Sequence, residues 1–122
     1  MTDRLTSGQI LLLVSYAAGM AGGQLLFKMA ALRVAGDASL GSRLLGLMQN
    51  GFFLTAIVLY GALSVLWVWV LSFTPLSRAY PFVAIAFALT PLLGGLVFAE
   101  PLSTRLLIGI AVIACGLLLV AG

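Results

Sequence analysis

The side chains of this sequence that are able to do chemistry are few, and the most conspicuous are cations beside long apolar runs. Lys28 follows the uncharged run 5–27, and Gln24 lies one helical turn before it on the same face. Arg78 opens another apolar run in the same way. A lysine or arginine in such a position suits an anionic group such as a phosphate. The sequence leaves open the alternative that each cation only anchors a helix end.

Composition identifies the solvent in which these runs must fold. Of the 122 residues, 63% are hydrophobic and 7% are charged, whereas a soluble domain carries about 25% charged residues. A chain of this length leaves much of its surface in contact with solvent, so that solvent must be lipid. The net charge of +3 comes from basic residues scattered singly between apolar runs, which does not indicate nucleic-acid binding. We expect one domain, residues 1–122.

Most reactive groups are missing from this sequence. It has no histidine, and its acidic residues, Asp3, Asp37 and Glu100, lie outside the apolar runs or at their ends. A proton antiporter normally depends on a carboxylate buried within the membrane, and no run offers one at its middle. An ATP-driven pump and a membrane hydrolase are equally disfavoured. We therefore expect no enzyme, no catalytic residues, no metal and no cofactor.

The apolar runs predict an all-α membrane protein with four transmembrane helices. A spanning helix needs about 20 mostly apolar residues. The predicted helices cover about residues 9–31, 51–73, 78–99 and 104–121. Because the second and third connections are very short, consecutive helices must be antiparallel neighbours in an up-down bundle.

The first connection is longer and more polar than the others. Gly36-Asp37 predicts a turn within it. Four apolar residues then follow at helical spacing, which predicts a short interfacial helix: Leu40, Leu44, Leu47 and Met48.

The two short connections carry stop and start signals. Pro75 ends the second helix and Pro101 ends the third, because proline cannot continue the hydrogen-bond ladder. Ser77 is predicted to cap the third helix and Ser103 the fourth.

Small residues mark helix faces that permit close approach of a neighbouring backbone. Ser15, Gly19 and Gly23 form one such face on the first helix. Gly109 and Gly116 are seven residues apart on the fourth helix, which is almost two turns. We predict that these two glycines form a dimer interface. The alternative is that they pack against the third helix within one subunit.

A bend is predicted in the third helix. Pro91 lies inside it and is followed by Gly94 and Gly95, and the carbonyl one turn before a proline loses its partner. The bend is either structural or the hinge of an alternating-access movement.

Three short motifs, in this order and spacing, resemble those of a known family. They are Gly-Gln-x-x-x-Lys from Gly23 to Lys28, Ala-Tyr-Pro from Ala79 to Pro81, and Glu-Pro-x-Ser from Glu100 to Ser103. With them the chain resembles small four-helix members of the drug/metabolite transporter superfamily (EamA-like). It is most similar to the subunits that flip aminoarabinose-phosphoundecaprenol. The resemblance covers nearly the whole chain.

Small multidrug resistance exporters share this plan but differ at two positions. They carry an essential glutamate eight residues before the lysine, where this chain has Met20. They also carry a tryptophan three residues after the tyrosine, where this chain has Val83. Both differences favour the flippase subunits over the exporters.

The resemblance implies a flippase or transporter for a polyprenyl-phosphate-linked sugar in the bacterial inner membrane. It implies that Lys28 meets the phosphate and that Gln24 hydrogen-bonds the phosphate or the sugar. Tyr80 and Glu100 would contact sugar hydroxyls or an amino group. Arg78 is a further candidate binding residue on different grounds, because it is contiguous with an apolar helix that is lined by small residues. Four helices are too few to enclose such a path, so we expect a homodimer or a heterodimer with a similar small subunit.

Two alternatives remain open at this point. One is an exporter of organic cations, and the other is a non-transporting scaffold subunit of a glycosyltransferase system. Orientation is open as well, because four basic residues in loops one and three stand against two in the N-terminal tail and loop two. This margin leans toward both termini outside but leaves dual insertion possible.

Overall fold

The computed structural model describes residues 5–34, 36 and 39–121, and all regular elements in these ranges are helical. The elements are α1 (Ser7–Val34), α2 (Leu40–Met48), α3 (Gly51–Leu71), α4 (Leu76–Ala79), a 3₁₀ turn (Tyr80–Val83), α5 (Ala84–Phe98) and α6 (Thr104–Ala121). The predicted turn at Gly36-Asp37 lies partly outside the described residues, since only Gly36 belongs to them.

The start of α1 is fixed by a reciprocal cap. The Thr6 N–H donates to Gln9 Oε1 at 2.8 Å, and the Gln9 N–H donates to Thr6 Oγ1 at 3.2 Å. This capping box satisfies two N–H groups that would otherwise lack partners. The Gln9 amide also donates to Thr74 Oγ1 at 3.1 Å, which ties this end to the chain after α3. The helix therefore begins at Ser7, before the predicted residue 9.

The short helix predicted after the first connection is present as α2. Ser39 caps it by accepting a hydrogen bond from the Ser42 N–H. Asn50 then caps α3 by accepting from the Phe52 N–H at 2.9 Å. The Asn50 amide is buried and donates to the Ala30 carbonyl at 3.2 Å. One side chain thus both starts α3 and holds it against α1.

The third predicted helix requires a correction. It begins with α4 after Pro75, and Ser77 lies inside α4 instead of capping it. The 3₁₀ turn at Tyr80–Val83 then separates α4 from α5. Pro81 stands in this turn, where it has no N–H to donate and its ring crowds the preceding backbone. The tighter 3₁₀ geometry, common at helix ends, accommodates it.

The connection between α5 and α6 follows the predicted signals. α5 ends at Phe98, and the φ of 54° at the next residue, Ala99, places that residue in the left-handed region. That conformation is common just beyond a helix C-terminus. Ser103 caps α6 by accepting from the Leu106 N–H at 3.1 Å, as its position predicts.

Successive long helices run in opposite directions, and α1 lies at the centre of the bundle. α1 packs against α3 on one side and α5 on the other, and α6 packs on α5. The face predicted for close approach is the one that meets α3. An added Cβ at Gly19 would lie 3.0 Å from the Leu63 side chain, and one at Gly23 would lie 2.5 Å from the Tyr60 ring. A small buried cluster closes the other end of the bundle: Leu13, Val70, Ala79 and Phe82.

Three helical segments are long and apolar enough to cross a membrane, namely Ser7–Val34, Gly51–Leu71 and Leu76–Phe98. A shorter apolar helix covers Thr104–Val120. Much of their apolar surface is exposed in the single chain, as lipid-facing helices require. The chain is therefore a multi-pass membrane protein.

Candidate functional site

A groove runs between α1 and α5. It consists of two adjoining cavities of about 350 and 260 Å³. Gln24, Thr90 and Pro91 line both cavities, so the two are continuous. The larger cavity adds only nonpolar residues to these three: Met20, Val83, Ala86 and Phe87.

The smaller cavity ends at an ion pair. Lys28 Nζ lies 3.4 Å from Glu100 Oε2, and both residues line this cavity. Their side chains are 44% and 46% exposed. An ion pair with this much solvent contact is worth about 0–1 kcal/mol, so another charged group is able to displace either partner.

The lack of a side chain at Gly94 leaves room for the Glu100 carboxylate. A Cβ at Gly94 would lie 2.6 Å from Glu100 Oε1, so the carboxylate rests where a side chain of α5 would otherwise be. The neighbouring Gly95 does the same for Leu102, which would lie 2.7 Å from an added Cβ. The two glycines thus accommodate the segment after α5. The hinge at Pro91 stays a prediction.

A hydrogen-bonded chain links the groove residues Gln24 and Met20 through Tyr60 of α3, which lines neither cavity. Gln24 Nε2 donates to Tyr60 Oη at 2.9 Å, and Tyr60 Oη donates to the Met20 carbonyl at 2.8 Å. The Tyr60 ring also stacks on Phe27, with centroids 5.2 Å apart. Tyr60 was not among the predicted site residues. An aromatic residue in an apolar helix either lines a pocket or faces lipid, and its sequence neighbours do not distinguish these roles.

The other two predicted binding residues lie at the opposite end of the bundle. Tyr80 and Arg78 are close to the start of the α4–α5 segment, whereas Glu100 follows its end. Fourteen residues separate Tyr80 from Gly94, or about 21 Å at 1.5 Å per residue. Tyr80 packs edge-on against Trp67, with centroids 6.3 Å apart. These residues line neither of the two cavities.

Arg78 has a partner of a different kind from that of Lys28. Its guanidinium donates to the Val120 carbonyl at 3.2 Å. Val120 is in the last turn of α6, where carbonyl groups lack helical partners and carry partial negative charge. Arg78 therefore holds the end of α6 to α4.

The two glycines predicted for a dimer interface face open space in the single chain. Apart from the adjacent residues and the backbone of α6 itself, no atom of the described residues lies within 4 Å of an added Cβ at Gly109 or Gly116. The half-buried Ile110 and Leu117 form the face of α6 that meets the rest of the bundle. The described contacts thus do not support the alternative of glycine packing within one subunit, and the dimer interface stays a prediction.

Among the described residues, no three His, Cys, Asp or Glu side chains lie together. The polar residues that line the groove are one cation (Lys28), one carboxylate (Glu100), one amide (Gln24) and one hydroxyl (Thr90), and its other lining residues are nonpolar or glycine. This lining is chemically complementary to a molecule with a small charged part and a long apolar part.

Comparison with known proteins adds two relatives that carry the same name. The chain is 32% identical, over 72 residues, to a probable 4-amino-4-deoxy-L-arabinose-phosphoundecaprenol flippase subunit ArnE of Enterobacter sp. (strain 638). The match covers 59% of this chain and 67% of that protein. The Proteus mirabilis (strain HI4320) protein of that name is 33% identical over 70 residues, covering 57% of this chain and 62% of that protein.

No solved structure matches this chain. No family model matches it either, so the wider superfamily resemblance stays a prediction. The Enterobacter relative is matched over two thirds of its length at 32% identity. On that similarity, the chain belongs to the family of these ArnE subunits.

Proposed function

We propose that this chain is a subunit of a flippase that moves a polyprenyl-phosphate-linked sugar across the bacterial inner membrane. The observation that carries the proposal is the change of polarity along one groove, from the Lys28–Glu100 pair to a cavity whose lining is nonpolar apart from Gln24 and Thr90. The names of the two relatives support the same substrate class.

The groove lies along the membrane normal in this proposal. Lys28 is 21 residues after Ser7, about 32 Å along α1 at 1.5 Å per residue. The hydrocarbon core is about 30 Å thick, so Lys28 reaches the level of the head groups when Ser7 is at the opposite surface. Met20 is eight residues deeper, about 12 Å. A lipid with its phosphate at Lys28 would have its chain beside Met20 and Phe87.

The whole chain, residues 1–122, forms one four-span up-down bundle in this proposal. α6 has 18 residues, about 27 Å at 1.5 Å per residue, slightly less than the hydrocarbon thickness. A small mismatch of this size is accommodated by local thinning of the bilayer. α6 would therefore be the fourth span, and its open glycine face would meet a second subunit, either a copy of this chain or a similar small protein.

Binding would proceed by exchange of the ion pair. The substrate phosphate would take the place of Glu100 at Lys28, forming a charge-assisted hydrogen bond. Glu100 would then be available to an amino group or hydroxyl of the sugar. Gln24, one turn deeper, would hydrogen-bond the same head group. Tyr80 and Arg78 lie toward the other membrane surface, where they would contact the head group only after it has crossed.

The test of this proposal is the identity of the lipid that copurifies with the protein. Native mass spectrometry of protein extracted in a mild detergent should show a bound polyprenyl phosphate sugar. Lys28→Ala should lose most of this adduct. Arg33→Ala is the matched control, because it removes a cation at the same end of α1 whose guanidinium lies over the Phe52 ring. Equal adducts in wild type and Lys28→Ala would contradict the proposal.

A transport assay separates the proposal from cation export. Met20, an uncharged residue, lines the groove where the exporters carry their glutamate. We therefore expect no proton-driven uptake of an aromatic dication by inverted vesicles that contain the protein. Such uptake would favour the exporter, and flipping of a fluorescent short-chain polyprenyl phosphate sugar would favour the flippase.

A further inference from the structure

The two hydrogen bonds that Tyr60 makes to groove residues have only one possible direction. The Met20 carbonyl accepts from Tyr60 Oη at 2.8 Å, and a carbonyl has no proton to donate. The single hydroxyl proton of Tyr60 is therefore committed to Met20. Toward Gln24, 2.9 Å away, Tyr60 is able to act only as an acceptor. The amide of Gln24 must turn its NH₂ group to Tyr60.

This direction determines what Gln24 offers to a ligand. A glutamine amide carries a donor arm and an acceptor arm, and a free amide rotates to present either one. With one N–H of Nε2 bound to Tyr60, the amide is held in one orientation, in which the carbonyl Oε1 keeps a fixed position beside the second N–H. No described residue donates a hydrogen bond to Oε1. A ligand group that lies beside Oε1 must therefore donate a hydrogen bond, or this acceptor stays unsatisfied.

The Tyr60 ring is held in place independently of its hydroxyl. It lies against Gly23, where an added Cβ would approach the ring within 2.5 Å. Its other neighbour is Phe27, which stacks at 5.2 Å with an interplanar angle of 8°. Since both contacts are made by the ring, removal of the hydroxyl leaves them intact.

We infer that Tyr60 is a positioning residue that fixes the polarity of Gln24, so that the groove selects head groups with a hydrogen-bond donor next to the phosphate. The donor is a hydroxyl or an ammonium group, and it lies one helical turn from Lys28, about 6 Å along α1. This spacing fits a sugar attached directly to the phosphate. The inference rests on the proposed function and deepens it.

The test uses two short-chain prenyl phosphate sugars, one with free hydroxyls and one fully O-methylated. Wild type should bind the hydroxyl probe about tenfold more tightly, because the methylated probe leaves the Gln24 carbonyl unsatisfied. Tyr60→Phe should reduce this ratio to about twofold or less, since the released amide rotates to suit either probe. The readout is the ratio of the two affinities, which a general loss of stability would not change.

Two further variants distinguish positioning from a structural role. Tyr16→Phe removes a hydroxyl from α1 near Trp67, outside both cavities, and should keep the wild-type ratio. Tyr60→Phe combined with Gln24→Glu should restore the preference for the hydroxyl probe. A carboxylate presents acceptors on both oxygens and does not depend on Tyr60 to orient it.

The possible failures are distinct. If wild type prefers the hydroxyl probe and Tyr60→Phe retains the same ratio, the inference is overturned and the proposed function stands. If wild type binds both probes equally, Gln24 does not select donors and the inference is again overturned. If wild type binds neither probe, the proposed function fails and the inference with it.

Discussion

The two ends of the bundle hold their cations in different ways. At one end Lys28 pairs with the side chain of Glu100, and both are about half exposed. At the other end Arg78 donates to the backbone carbonyl of Val120. A carboxylate side chain is able to swing away, whereas a carbonyl in the last turn of a helix is not. Under the proposed function, Lys28 is therefore able to exchange Glu100 for a ligand, whereas Arg78 fastens α6.

This difference teaches that the partner of a charged residue, more than its type, determines its role. Lys28 and Arg78 both lie beside long apolar runs, so their sequence positions do not distinguish their roles. Only the contacts separate them. Variants at the two ends should therefore affect different properties, namely assembly at the end that Arg78 holds and ligand exchange at the end of Lys28.

The largest effect is expected on α6. Gly116→Leu should abolish most dimer formation, because association in lipid depends on close packing of small residues. The fold of one subunit should survive, since no described atom outside the neighbouring backbone of α6 and the two adjacent residues lies within 4 Å of the new Cβ. Crosslinking in native membranes measures the dimer. Leu118→Ala, at a position 72% exposed, is the control and should change little. An intact dimer for Gly116→Leu at normal protein level would place the interface elsewhere.

A moderate effect is expected at the ion pair. Gly94→Ala should displace the Glu100 carboxylate, which lies 2.6 Å from the new Cβ. Lys28 then has less competition, so the affinity for a plain prenyl phosphate should rise by up to about fivefold, the equivalent of an ion pair worth about 1 kcal/mol. Gly95→Ala is the matched control, because its Cβ meets Leu102 instead. Unchanged or reduced affinity in Gly94→Ala would show that Glu100 does not compete with the phosphate.

The smallest effect concerns the residue that positions Glu100. Ala99 has a φ of 54°, which glycine adopts more readily than alanine. Ala99→Gly should therefore raise the free energy of unfolding by up to about 1 kcal/mol. Denaturant titration in detergent micelles measures it. Ala84→Gly is the control and should lower stability, because Ala84 has helical backbone angles. A loss of stability in Ala99→Gly would contradict this account.

Local features were predictable from the sequence. The Ser103 cap and the stop before Pro101 follow from the chemistry of neighbouring residues, and the structure confirms both. The break of the third helix was missed. The third helix is predicted to begin at about residue 78, three residues before Pro81, but α4 begins at Leu76, five residues before it, so that the proline meets a turn already formed.

The site was only partly predictable, because its contacts link distant parts of the chain. Lys28 and Glu100 are 72 residues apart, and Gln24 and Tyr60 are 36 apart. Motif resemblance grouped Tyr80 with these residues, and the position beside an apolar helix added Arg78, although an up-down bundle places both at the other end. The role of Tyr60 depends on the direction of two hydrogen bonds, which no local pattern reports.

The measurement that tests the central claim most directly compares Lys28→Ala with Arg78→Ala in binding a short-chain prenyl phosphate. Lys28→Ala should lose about 10- to 100-fold in affinity, the equivalent of one charge-assisted hydrogen bond, and Lys28→Arg should retain part of it. Arg78→Ala should lose no more than about threefold, because its guanidinium is committed to Val120. Equal losses in the two alanine variants, or wild-type binding by Lys28→Ala, would contradict the account.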